Sequence, residues 1–230
     1  MTRIPAIIHH CWVSRDPFKQ KYHAWRASWM KYNPTCSMYF WTLDNIPYRW
    51  MLPDSVKILK SDAIYILKSD IIRWELLKIY GGIVVDCDME CRKNFDEFLT
   101  NESFCAKGWG DNTYGNQCVG SVPGNSMCSD ILASTAAVAL ANWEKANSRE
   151  IYKYGILQAV PHLVKCSRIY ERETFYPFSW EAVDHNDVSV LNMPYPASAA
   201  IHWWTGMNQD GWCKETERRD KACIPPPLKP

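Results

Sequence analysis

Two aspartates one residue apart close an apolar run, Ile83-Val84-Val85-Asp86-Cys87-Asp88. Alternation along a strand would set Asp86 and Asp88 on one side and Cys87 on the other. Paired hard oxygen donors suit Mg²⁺ or Mn²⁺, and such an ion keeps coordination positions for phosphate oxygens. A β-branched strand with charges at its C-terminal lip is also how an α/β sheet presents a ligand site. The chemistry expected is therefore that of a nucleoside diphosphate. Just upstream, Asp70 and Arg73 stand three residues apart and share a helix face with Trp74. As an isolated surface ion pair they would contribute little. Placed one helix before a carboxylate lip, they are expected to belong to the same site.

The elements that must position these groups follow from periodicity. Ser69 to Tyr80 reads as a helix with Ile72, Leu76 and Ile79 facing a core, and Gly81-Gly82 gives the unhindered backbone needed to leave it. Strands are expected over 6–12, 37–42, 104–107, 117–122, 188–191 and 199–203, besides the one carrying the aspartates. Helices are expected over 18–31, 63–67, 126–142 and 150–165, with a break at Leu52-Pro53-Asp54. Strands alternating with helices predict an α/β fold: one domain over 1–223, with a mostly parallel central sheet flanked by helices. Residues 224–230, Ile-Pro-Pro-Pro-Leu-Lys-Pro, read as a polyproline linker to a possible further domain.

Composition narrows the function classes. The 230 residues carry 26 basic and 25 acidic side chains, a net charge of +1, which leaves no electrostatic footprint for nucleic acid. No run approaches the ~20 apolar residues of a membrane span, and the N-terminus has no apolar core of a signal peptide, so a cytoplasmic location is expected. The sequon Asn101-Glu102-Ser103 is then incidental. Ten cysteines include no Cys-x-x-Cys pair, and several, such as Cys105 and Cys11, sit in apolar contexts that suit small buried hydrophobes. Twelve tryptophans are mostly core material, but flat aromatic faces also stack on a nucleobase or a sugar.

The stretch from Lys68 to Glu90 resembles the signature of the DXD-containing glycosyltransferases of family 32, with Ser-Asp-x-x-Arg-aromatic, Gly-Gly, an apolar strand and Asp-x-Asp in order. Ile4-Pro5-Ala6-Ile7-Ile8-His9-His10-Cys11-Trp12 resembles that family's first strand. His202-Trp203-Trp204 with Gly206 and Trp212 is similar to its closing element. Gly120-Ser121-Val122-Pro123-Gly124 and Phe175-Tyr176-Pro177 also fit, whereas Gly155-Ile156 departs from the family's Gly-Pro. The resemblance spans nearly the whole chain.

It implies a GT-A type, Rossmann-like domain and a metal-dependent hexosyltransferase. The donor would be a UDP-sugar, or alternatively a GDP-sugar, and the acceptor a glycan or glycoprotein. Asp88 would bind Mn²⁺ or Mg²⁺, with Asp86 reaching the metal through water or touching the donor ribose. His202 would be the third contact, against the alternative of a satisfied core histidine. Trp12 would stack on the nucleobase, with Trp204 near the same lip and His9 and His10 flanking it, the alternative being that one of the two histidines faces the core. Asp70 and Arg73 would hold donor sugar hydroxyls, Arg73 forking two oxygens. Retention of anomeric configuration is implied, by internal return in the absence of an evident carboxylate nucleophile. Two other classes share parts of this pattern: a catalytically inactive nucleotide-sugar-binding module, and another metal-dependent phosphate enzyme.

Overall fold

The computed structural model describes residues 3–14, 16–110, 112–143, 156–185 and 187–205. Asp111, Gly155, Gly206, Trp212, the first part of the helix expected over 150–165 and the tail from Ile224 lie outside them. Eight strands are described: β1 (Ile7–Cys11), β2 (Ser37–Trp41), β3 (Gly82–Val85), β4 (Met89–Cys91), β5 (Ser103–Lys107), β6 (Tyr114–Ser121), β7 (Arg168–Tyr170) and β8 (Ala200–His202). The helices are α1 (Gln20–Tyr32), α2 (Pro53–Lys60), α3 (Tyr65–Tyr80), α4 (Ser126–Ala141), α5 (Ile156–Leu163), α6 (Trp180–Asp184) and α7 (Val188–Leu191).

Six strands form the central sheet in the order β2-β1-β3-β6-β5-β7. β1 pairs parallel with β2 and β3, and β5 with β7, while β6 runs antiparallel between β3 and β5. The sheet is thus mostly parallel, as expected. β4 and β8 form a separate antiparallel ribbon in which Met89 lies opposite His202.

Strand alternation sorts the core into two layers. Val84 and Val119 face α2, α3, α4 and α5, whereas Ile83, Val85 and Cys118 face Trp29, Phe95, Phe98 and Phe175. A third, aromatic cluster joins Tyr22, Trp25, Phe178 and Trp203. Helix α3 is buried almost all round from Leu67 to Leu77, so it is a central helix and not an amphipathic surface one. Its last turn passes to β3 through Gly81 at φ +64° and Gly82 at φ +93°. A Cβ on Gly82 would come within 2.7 Å of the Ile7 carbonyl oxygen, so space as well as dihedral requires glycine there.

Four expectations are corrected. Pro53 does not break the chain but starts α2, where its fixed φ suits a first helical position. No separate helix occupies 63–67; that stretch leads into α3. Residues 188–191 form α7 and not a strand, because Asp187 Oδ1 accepts from the backbone N–H groups of Ser189 and Val190 and caps a helical turn. β3 ends at Val85, so Asp86, Cys87 and Asp88 lie in a turn, and Cys87 lines the same cavity as its neighbours.

His9 and His10 on β1 are both buried, and neither lines that cavity. The expectation that His9 contacts the donor is therefore overturned. Its Nε2 donates to the Gly81 carbonyl at 2.8 Å and its Nδ1 accepts from Trp41 Nε1 at 3.0 Å, which commits both ring nitrogens to the fold. His10 packs edge-on to Trp29, and neither of its ring nitrogens has a hydrogen-bond partner among the described residues. Burial holds the pKa of His9 down at about 4 and that of His10 at about 3, with Arg26 adding to the second. Both rings are neutral in the fold, while the unfolded chain protonates them below about 6.5. Stability is therefore fully present above that pH and falls as pH drops through 6.5 toward 4, by about 1 kcal/mol per pH unit for each histidine. His10→Leu is expected to raise stability at pH 7 by about 1–3 kcal/mol, the cost of an unpaired buried polar group, and to flatten the acid limb. Urea melts between pH 5 and 8 check this; equal slopes for the two proteins would contradict it.

Candidate functional site

The C-terminal lips of β1 and β3, the start of β6 and the chain after β8 converge on one cavity of about 260 Å³. Trp12, Asp70, Arg73, Asp86, Asp88, His202 and Trp204 all line it. Seven of the nine residues that the sequence places at this lip are thus brought together, from segments up to 192 positions apart, and His9 and His10 are the exceptions.

The ligand atoms of Asp86, Asp88 and His202 lie within 4.8 Å of one another. His202 Nε2 stands 3.0 Å from Asp88 Oδ1 and 3.8 Å from Asp86 Oδ2. The β4–β8 ribbon produces this meeting, since pairing Met89 with His202 carries the histidine to the residue next to Asp88. Asp88 Oδ2 accepts from the Thr205 backbone N–H at 2.7 Å and from Thr205 Oγ1 at 3.2 Å, which fixes the carboxylate's orientation. Asp86 is the more open of the pair, with 27% of its side chain exposed.

Arg73 is placed differently from the expectation. Its Nη1 donates to Asp70 Oδ1 at 2.7 Å and its Nη2 pairs with Asp86 Oδ1. The guanidinium therefore forks two carboxylates of the protein, not two sugar oxygens. Its side chain is 5% exposed, so it is not a surface ion pair either. Burial works against its charge, but Asp86 and Asp70 outweigh that and raise its pKa. Asp70 also accepts from Asn116 Nδ2 at 3.2 Å, while its Oδ2 has no partner among the described residues. Burial pushes the Asp70 carboxyl up to about 6 despite Arg73 and Asn116. Asp86 is also raised by burial, with Arg73 opposing.

Trp12 meets Phe18 and Tyr22 edge-on and donates from Nε1 to the Asp16 carbonyl, so its ring is held at the cavity wall. Trp204 sits at φ +54°, a left-handed conformation that costs a bulky residue energy. It thereby brings its ring centroid to 4.1 Å from that of His202 and donates from Nε1 to the Phe178 carbonyl. Cys11 and Cys87 also border the cavity, but burial pushes Cys11 up to about 12 and Cys87 well above its ordinary value. Neither is a thiolate nucleophile at neutral pH.

Sequence reasoning missed Tyr22 and Thr205, and it placed Asn116 and Gln117 only within a loop over 111–117 expected to shape the sugar pocket. Asn116 and Gln117 open the polar end of β6, and Asp86 N–H donates to the Gln117 carbonyl. A polar pair leading an apolar strand was a visible signal, though only the antiparallel pairing of β6 with β3 brings it to Asp86. Thr205 acts partly through its backbone N–H, which no residue type advertises.

The surrounding fold is shared with solved glycosyltransferases of GT-A type. The PaToxG glycosyltransferase matches with a TM-score of 0.52 at 16% identity, over 83% of this chain and 74% of that one. The apo form of the glycosyltransferase GlyE of Streptococcus pneumoniae TIGR4 matches with a TM-score of 0.53 at 13% identity, over 87% of this chain and 54% of that one. In sequence, the chain is 37% identical over 105 residues to an uncharacterized glycosyltransferase, L373, of Acanthamoeba polyphaga mimivirus. That match covers 42% of this chain and 40% of the relative, so the chain spans well under half of that protein's length. The described helices include none long and apolar enough to cross a membrane. Residues 3–173 match the family described as capsular polysaccharide synthesis protein, and to that family this chain belongs.

Proposed function

We propose that the chain is a metal-dependent glycosyltransferase that moves a sugar from a nucleoside-diphosphate donor to a glycan or protein acceptor. The observation that carries this is the Asp86–Asp88–His202 cluster opening into a cavity walled by two tryptophans. Two carboxylates and an imidazole fit a divalent ion, and the histidine nitrogen favours Mn²⁺ over Mg²⁺. When bound, such an ion supplies Lewis-acid neutralisation of the charge that grows on a departing diphosphate.

The protein's own groups divide the remaining tasks. Trp12 offers a fixed aromatic face for the nucleobase, with a UDP-sugar favoured and a GDP-sugar as the other candidate. Trp204 fixes the face of His202. Asp70, with one oxygen unpartnered, is placed to accept from a donor sugar hydroxyl, and Arg73 holds Asp70 and Asp86 in register. Each of the three carboxylates lining the cavity has a partner in the protein, Asp70 and Asp86 through Arg73 and Asp88 through His202 and Thr205, with one Asp70 oxygen left unpartnered. With that oxygen assigned to a sugar hydroxyl, the reading is retention without a covalent carboxylate intermediate, the departing diphosphate taking the acceptor proton.

The test is donor hydrolysis by the purified chain across a panel of nucleotide sugars, with Mn²⁺, Mg²⁺ or EDTA and no acceptor. Release of one nucleoside diphosphate, lost with EDTA, is expected. Metal-dependent binding without release would instead mark an inactive nucleotide-sugar-binding module. Phosphate release from simple esters would mark another phosphate enzyme.

A further inference from the structure

We propose that a second cleft, between α1, the exit of β4 and residues 194–196, binds an anionic segment of the acceptor glycan. This rests on the transferase reading for the word acceptor, but the cleft itself does not. It is a cavity of about 240 Å³, close in size to the one at the carboxylates. Lys31, Arg92 and Lys93 border it, against a single carboxylate, Glu90.

That carboxylate is already committed. Glu90 Oε2 accepts from Trp203 Nε1 and its Oε1 from Arg92 Nη1, each at 3.2 Å. Arg92 is held from the other side as its Nη2 donates to the Pro194 carbonyl at 3.4 Å. Lys31 and Lys93 are exposed, and neither ammonium has an ion-pair partner among the described residues. The concavity therefore carries two cations with no carboxylate partner, Lys31 Nζ lying 5.3 Å from the centre of the Tyr32 ring, beside a fixed guanidinium. Such groups recognise carboxylate or phosphate oxygens.

The walls narrow the ligand further. Tyr195 lines the cleft with Pro194 and Pro196, apolar surfaces that suit a sugar ring and not only a free ion, and Tyr32 lies under Lys31 Nζ. Tyr195 takes φ +43°, which turns this loop, and its hydroxyl donates to the Val190 carbonyl. The four residue steps from Asp88 to Arg92 span roughly 13 Å of extended chain. A glycan of a few rings is long enough to cover that distance, which is what the proposal requires. The anion is a sugar carboxylate or a sugar phosphate, which share this chemistry.

Calorimetry without donor or metal tests this with oligogalacturonate, a phosphomannan fragment and neutral maltohexaose. One anionic oligosaccharide is expected to bind at least about tenfold tighter than the neutral one, and which of the two binds identifies the anion. Lys31→Ala/Lys93→Ala should weaken that binding by about tenfold, the equivalent of losing about 1.4 kcal/mol, and leave donor hydrolysis unchanged. Both lysines are exposed, so the variant is expected to melt like the parent protein. Asp88→Asn should leave the binding intact. Equal affinity for the neutral oligosaccharide, or an unaffected lysine variant, overturns the cleft; so does loss of binding in Asp88→Asn, which would place the ligand in the main cavity. Lysine-dependent binding in a chain that releases no nucleoside diphosphate from any donor supports the cleft and overturns the transferase reading separately.

Discussion

Asp88→Asn is expected to lower metal-dependent donor turnover by about a thousandfold or more, the equivalent of some 4 kcal/mol of lost transition-state stabilisation. The size follows from how the carboxylate is used. One oxygen faces His202 Nε2 and the other receives two donors from Thr205, so the group is already oriented without ligand. An amide keeps the shape but loses the charge, and it must turn its NH₂ either toward His202 or toward the Thr205 N–H. The second choice sets donor against donor. The first is paired if His202 Nε2 accepts, so the variant should fold, with a loss of stability of no more than about 1–3 kcal/mol, the cost of a mispaired buried polar group. Mn²⁺ binding by calorimetry, urea melts and donor hydrolysis on the same preparation separate the two effects. A folded Asp88→Asn protein with undiminished turnover would remove Asp88 from the proposed site.

Much of this was legible in the sequence, and the reasons are physical. The helix–Gly-Gly–strand block was readable because α3, Gly81 and Gly82 and β3 obey local rules of periodicity and backbone freedom. The parallel half of the sheet followed from alternation of elements. The antiparallel direction of β6 did not, since nothing in Tyr114–Ser121 states which neighbour it joins. His9 and His202 show the limit best. Each follows apolar residues in an expected strand, yet β1 is central, so His9 meets Trp41 and Gly81, whereas β8 lies in the outer ribbon, so His202 meets Asp88. Residues 188–191, all Val, Ser and Leu, carry strand propensity that the Asp187 cap overrides.

Arg73→Met is expected to be the most destabilising single change at the site, by about 3–5 kcal/mol, because it leaves two carboxylates, one of them deeply buried, without their cation. Asp70 is the sharper case. Burial already lifts it to about 6 with the guanidinium present, and removal of Arg73 lifts it further. The variant's native state then binds more protons than the parent's as pH rises past 6, so its stability relative to the parent falls across that range. The deficit should be larger at pH 8 than at pH 6. Adding Asp70→Asn to Arg73→Met removes one stranded charge and should recover part of the stability. It should not recover turnover, because Asp86 would still lack the partner that sets its position beside Asp88 and His202. Arg73→Lys should fall between, as one ammonium cannot fork two carboxylates. Urea melts at the two pH values, with turnover measured on the same variants, distinguish this bridging role from contact with the sugar. If Arg73→Met kept parental stability and lost only affinity for the donor, the side chain would be binding substrate and not organising the carboxylates.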